Sequence, residues 1–459
     1  MGIFGAMMTA VSGLRAQSYS LENISGNIAN SQTTGFKRVD TAFVDMIPDA
    51  PAGRELAGSV TALGRMTTSV QGDLQATGVP THMALSGDGF FVVRERTGTA
   101  NNMPVFGGGQ LYTRRGDFAL DKDGFLRNGA GFFLSGTALD PVTGEVKGAT
   151  NEVLRISTEP LPARRTGEIT YRANLPSAPA TATAVAGGSD LMAAPPASMP
   201  VGYEPRVTTA TNPPPGVRAD DAARFMSESV AGGALTVYDD VGAPISLQMR
   251  WAKVGDSPAT WNLFYLENSA ATGADVAWRN IGTPVTFDAT GRMTSATRMT
   301  IPSVTVDGTT VGAVDLNHGP GGLTQYAAAS GLVQASAVQQ NGYASGSLTG
   351  LSVTADGRIQ GSYSNGMMLT IGTVAVAQFN APDALKRSDG GVYEQTLESG
   401  VPIFAMTGAA IVGGNVEGSN TDIADEFSKM IVTQQAYSAN TRVVSTAQQM
   451  LSDVLNMVR

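Results

Sequence analysis

With 459 residues, 42% of them apolar, the chain has length and apolar content for two or three packed domains. A formal net charge of -9 without a basic run argues against nucleic acid as a partner, and the absence of cysteine excludes disulfides and thiolate chemistry. Two histidines, His82 and His318, are too few for a His-rich metal site, so no metal or cofactor is expected.

The first predicted element is a helix ending near Ile28. Met7, Leu14, Leu21 and Ile28 form an apolar row seven residues apart, while the interleaved row Phe4, Val11, Ser18 and Ser25 becomes small and polar. Such a narrow seam suits a helix that packs against other helices. Its apolar start, Ile3 to Leu14, is far short of the about 20 residues a bilayer span needs. No Lys or Arg precedes it, so neither a membrane anchor nor a cleaved secretory leader is expected. The helical pattern breaks inside "NIANSQTTGFKR", Asn27 to Arg38, where Asn30, Ser31, Thr33, Thr34 and Gly35 interrupt the apolar spacing. Gly35 permits a turn that a β-branched residue resists, and Phe36 offers an apolar anchor beside Lys37.

The middle of the chain reads as β. "FALDKDGFL", "TFDATGRM" and "SVTADGRI" each place a polar pair ending in Gly between apolar positions, the pattern of a tight hairpin. "GFFVV" at Gly89 to Val93 and "MMLTIGTVAVAQF" at Met367 to Phe379 read as buried strands. "DKDG" is no calcium loop, because Ala119 and Ala130 would occupy two ligand positions. Asp220 with Asp221, and Asp239 with Asp240, read as turn and surface carboxylates rather than an acid–base pair. Pro176 to Gly216 holds nine prolines and reads as long loops. Trp251, Trp261, Phe264 and Tyr265 then announce a new core, so a domain inserted at 171–329 is expected.

The last element is a longer helix from Asp422, its N-cap. Ile423, Met430, Tyr437, Val444, Leu451 and Val458 are seven apart, with Phe427, Gln434, Thr441, Gln448 and Leu455 as the second row. The expected architecture is multidomain: mainly β outer domains, with long terminal α-helices forming a coiled-coil-like inner layer. The helices would comprise 1–28 with 422–459. An extended connector would comprise 29–70 with 413–421, and a β-rich middle domain 71–170 with 330–412.

Four long blocks, in order, resemble the axial rod and hook proteins of the bacterial flagellum. They are "NIANSQTTGFKR", "QGDLQATGVPTHMALSGDGFFVV", "YTRRGDFALDKDGFLRNGAGFFLSG" and "SNTDIADEFSKMIVTQQAYSANTRVVSTAQQML". Within that family, Leu323 to Phe379 and "ITYRANLP" at Ile169 resemble the hook proteins. The resemblance implies a non-enzymatic subunit that stacks into a flexible helical tube and transmits motor torque. It identifies Asn27, Ala29, Asn30, Thr34, Gly35, Phe36 and Lys37 as the N-terminal family motif. It also implies the distal rod, hook cap, hook–filament junction proteins and flagellar export apparatus as partners, and an extracellular location without leader cleavage. A distal-rod or junction protein is the alternative within the family; a secreted β-rich adhesin or enzyme is the alternative outside it.

Overall fold

A computed structural model describes residues 3–46, 59–100, 103–193 and 216–457. It is mostly β, with one long helix near each end, and it divides into two compact units: 1–159 with 348–459, and 160–347.

In the first unit, helix Ile3–Ala29 packs against helix Ile423–Met457. The helices run antiparallel: Asn27 touches Glu426, and Gly13 lies against Asn440. Asp422 caps the second helix, its carboxylate accepting from the backbone N–H of Ala424 at 2.8 Å. The segment after the first helix differs from the simple extended connector expected for 29–70. Strands Val39–Met46 and Ser59–Met66 pair antiparallel, Val39 opposite Met66, and lie along the first helix. The stretch that would show how they are joined, 47–58, lies outside the described residues.

The β part of this unit is built around strand Phe90–Arg94. Side chains alternate across a strand. Phe91 and Val93 therefore enter one core, with Phe118, Leu134, Ile359 and Val392, while Phe90 and Val92 enter a second, with Tyr112, Phe379 and Tyr393. The sheet order runs Leu348–Val353, Arg358–Tyr363, Met368–Val374, Phe133–Ala138, Phe90–Arg94, Leu111–Thr113, Val392–Glu394, Lys386–Ser388. The glycine-punctuated stretches turn where the sequence places them. At Asp121–Gly124 the Asp121 carboxylate accepts from the N–H groups of Asp123 and Phe125, and Gly124 has φ +86°. Ser352 and Val353 pair with Gln360 and Ile359 across Gly357. "MMLTIGTV", expected to be buried, is mostly half-buried along Met368–Val374.

The second unit holds two sheets sharing one core. Glu168–Asn174 pairs parallel with Thr309–Asn317 and antiparallel with Gln334–Gln340. The other sheet orders Gly216–Arg218, Val276–Asn280, Ala259–Leu266, Pro244–Asp256 and Val230–Tyr238. Leu247, Met249 and Trp251 alternate inward toward Ile169, Tyr171 and Val304. The Trp251 indole donates to the Tyr171 hydroxyl at 3.0 Å, which donates to the Gly232 carbonyl at 2.7 Å. Because Gln334–Gln340 pairs with Glu168–Asn174, the unit begins at Pro160 and ends at Ser347, outside the 171–329 read from the sequence. Of the proline-rich stretch, 194–215 lies outside the described residues.

A fragment comprising 160–347 contains this entire shared core, so it is expected to fold alone. Denaturant unfolding followed by tryptophan fluorescence should give one cooperative transition, lowered by about 3–5 kcal/mol in Trp251→Ala. A fragment without a transition would mean that the core requires the rest of the chain.

Candidate functional site

The functional candidates converge where both ends of the chain enter the β domain. The first helix ends at Asn30, whose side-chain amide donates back to the Gly26 carbonyl at 2.9 Å and whose carbonyl accepts from Thr33 N–H. Gly35 then turns with φ +67°, and its N–H donates to the Glu417 carbonyl at 2.7 Å. A Cβ at Gly35 would stand 2.8 Å from the Arg115 backbone nitrogen, so close approach as well as φ demands glycine. Phe36 is buried under the Arg387 guanidinium, 4.4 Å above its ring.

Lys37 carries the centre of the site. Its ammonium is fully buried and donates to the Val70 carbonyl and a Glu417 carboxylate oxygen, both at 2.5 Å. Glu417 is also fully buried; it accepts from Gly72 N–H at 2.9 Å and from Arg114 at 3.4 Å. Two cations thus share one carboxylate. Desolvation pushes the Lys37 pKa below its ordinary value against the pull of Glu417, and Arg114 lowers it further. Asn420 binds the same junction: its carbonyl accepts from Arg38 N–H at 2.8 Å, and its amide donates to Thr67 and Val70.

Below the junction the helices are tied by a second network. Asn27 exchanges two hydrogen bonds of 3.0 Å with the Val39 backbone, acting as a short strand edge, and donates to buried Glu426. Lys429 links Glu426 at 2.7 Å to Asp40 at 3.2 Å. Burial opposes the Lys429 charge, yet those two carboxylates hold its pKa above the usual lysine value.

The apolar rows do not form the innermost contact within one chain. Met7, Leu14, Leu21 and Ile28 are half-buried, as are Met430, Val444 and Leu451; Ile423 and Tyr437 are exposed, and Val458 lies outside the described residues. The innermost positions are Ala10, Gly13, Ala16, Ser20, Ile24 and Asn27 on one helix and Glu426, Thr433 and Ala447 on the other. Phe427, Gln434, Thr441, Gln448 and Leu455 face solvent, so the second row is offset by one residue from the sequence reading. The recoverable signal was Gly13, Ser20 and Asn27, small residues seven apart that admit close helix approach. Of the motif residues, Asn27, Gly35, Phe36 and Lys37 are buried, Asn30 and Thr34 half-buried, and Ala29 exposed.

Both ends match flagellar families: residues 7–37 that described as Flagella basal body rod protein, and 412–457 Flagellar basal body rod FlgEFG protein C-terminal. Residues 84–170 match Flagellar hook protein FlgE/F/G D1 domain, and 214–343 match Flagellar basal body protein FlaE D2 domain. Paired termini carrying these β domains define a flagellar axial protein. The Flagellar hook protein FlgE of Brucella abortus is 30% identical over 465 residues, covering 100% of both chains. That of Salmonella typhimurium is 28% identical, covering 98% of each. The Helicobacter pylori flagellar hook protein FlgE2 shares the fold, with TM-score 0.50 and 14% identity over 73% of this chain and 98% of that one. The chain belongs to the flagellar hook protein family: it is a structural subunit of the hook and not an enzyme.

Removing the shared carboxylate in Glu417→Ala should cost about 3–5 kcal/mol, because two buried cations lose their partner. The Lys37 pKa fixes a pH signature. The folded chain disfavours the protonated lysine relative to the unfolded chain, so stability rises with pH between the depressed folded value and 10.5. In denaturant titrations the parent should therefore gain on Lys37→Met across that alkaline window. A difference independent of pH would contradict the assignment.

Proposed function

We propose that copies of this chain polymerise into a flexible helical tube. The terminal helices would form a coiled-coil-like inner layer, the β domain of 71–159 with 348–412 a middle layer, and the inserted domain, 160–347, the outside. The tube would transmit torque to the filament, joined to the distal rod below and to hook-cap and junction proteins above. Delivery would be by the flagellar export apparatus, to the outside, without leader cleavage. The half-buried rows Met7 to Ile28 and Met430 to Leu451 would be completed by neighbouring copies, with Ile423, Tyr437 and Val458 as the remaining members of the Met430 row.

One observation carries this reading. After pairing with the first helix, the C-terminal helix still exposes large apolar side chains on two sides. At about 100° per residue, Phe427 and Ile431 fall on the face turned away from the first helix and Val432, Val443 and Met450 on a flank, each 45–65% exposed. A helix with neighbours on those two sides would bury them.

Electron microscopy of the purified parent should show tubes. Ile431→Asp should leave monomer stability within about 0.5 kcal/mol, since that side chain is solvent-facing in one chain, while abolishing tubes. Tubes of normal length from Ile431→Asp would remove that face from the interface.

A further inference from the structure

We propose that His318 is a pH-sensitive latch in the 160–347 unit, closed at neutral pH and released in acid. Strand Glu168–Asn174 has two parallel neighbours. Glu168, Ile169 and Thr170 pair with Asp315, Leu316 and Asn317, while Ala173 and Asn174 pair with Leu323 and Thr324. Between these runs the ladder lapses, because the chain detours through His318–Gly322. The Gly322 carbonyl takes up the Ala173 N–H at 2.9 Å, and the imidazole Nδ1 of His318 lies 2.7 Å from the Tyr171 carbonyl. A side chain thus stands in for the missing strand at a fully buried residue.

The ring suits one protonation state. A carbonyl only accepts, so Nδ1 carries the proton and Nε2 keeps its lone pair. His318 is fully buried, and its Nε2 has no hydrogen-bond partner among the described residues. A second proton would put a cation and an unanswered N–H into the core. The Tyr171 ring stands edge-on to the imidazole, its hydroxyl already committed to Trp251 and Gly232. The charged side chains of the surrounding strands are committed too. Glu168 pairs with Arg298 at 3.0 Å, Asp315 accepts from Thr300, and Arg292, bridged to Thr324, acts on Asp288. On strand Pro244–Asp256, Arg250 is held by Ser229, and Lys253 by Asp190 and Asp256. Arg172 lies against Gly319 and Gly322, where its positive charge opposes another. Burial accordingly lowers the His318 pKa, with only the Tyr171 carbonyl pulling the other way.

The detour gives the ring a way out. Gly319 and Gly321 flank Pro320 with φ +67° and +66°, and a Cβ at Gly322 would run into the His318 carbonyl, so the turn closes tightly over the histidine. Release requires rotation within the 318–322 turn, while the two sheets keep their core. The unfolded histidine, at its ordinary 6.5, binds a proton that the closed latch refuses, so stability falls as pH drops below 6.5 toward the depressed folded value. The Glu168 carboxyl, held below its ordinary 4.5, acts only at lower pH.

All three tryptophans, Trp251, Trp261 and Trp278, belong to this unit, so fluorescence-detected denaturation of the full chain reads it selectively. Between pH 6.5 and about 5 the parent's unfolding constant should rise, approaching about tenfold per pH unit. His318→Asn keeps an N–H for the Tyr171 carbonyl but has no proton to gain, so its unfolding constant should stay level across that window. A parent without the rise, or a His318→Asn variant with an equal rise, would overturn the latch. Should that variant not fold, His82→Gln decides in its place, because it leaves His318 as the sole histidine. In the folded chain the ring C2 proton should then titrate below pH 6.5, and the Ala173 amide should lose hydrogen-exchange protection through the same midpoint. A midpoint at the ordinary 6.5 with Ala173 protected throughout would equally overturn it.

Discussion

Two cations and one carboxylate, all withdrawn from water, hold the two ends of this chain to its β domain. Lys37 comes from the segment after the first helix, Glu417 from the segment before the last, and Arg114 from the β domain between them. Burying three ions is unfavourable unless their partners are placed well, and here backbone groups complete the shell: Val70 accepts from Lys37, and Gly72 donates to Glu417. The arrangement tolerates little displacement. The direction in which the paired helices leave the β domain follows from it, because Gly35 and Asn420 lock the backbone on either side.

The helix pair is built for a different purpose from an ordinary core. Apart from Ile24, its innermost layer is small or polar: Gly13 against Asn440, Asn27 with Glu426, buried Ala10, Ala16, Ser20 and Thr433. Small residues bring the two axes close and leave the larger apolar side chains at the margins. Apolar area thereby stays at the margins of the pair, while hydrogen bonds fix the register within it. An inner layer of leucines would bury more apolar area within the hairpin and leave less at its margins.

Much of the β architecture was legible because it depends on local chemistry. Gly124 and Gly357 mark turns by their backbone freedom, and Trp251 and Trp261 mark a core by size. The terminal helices were legible from seven-residue spacing, but not which row faces inward within a chain, since apolar spacing ranks large side chains above Gly13 or Ser20. Glu426 reads as an ordinary first-turn acid until Asn27, distant in sequence, is placed against it. The Lys37–Glu417 pair and the pairing of Val39–Met46 with Ser59–Met66 are likewise non-local, and no periodicity in either partner reports the other. The edge of the inserted unit was missed because Gln334–Gln340 is polar and only its pairing with Glu168–Asn174 assigns it.

The pairing of the two ends also sets an order in time. Lys37 meets Glu417 across 380 positions and Asn27 meets Glu426 across 399. A chain that emerges progressively from a ribosome or a narrow conduit can complete its hairpins as they appear, since their partners are close in sequence. The junction must wait for residues beyond 417, and long-range closure is slow because its loop entropy is lost before any contact forms. The first unit's sheet waits almost as long, since Phe133–Ala138 pairs with Met368–Val374 and Leu111–Thr113 with Val392–Glu394, and the helix pair is the last part for which all residues are at hand.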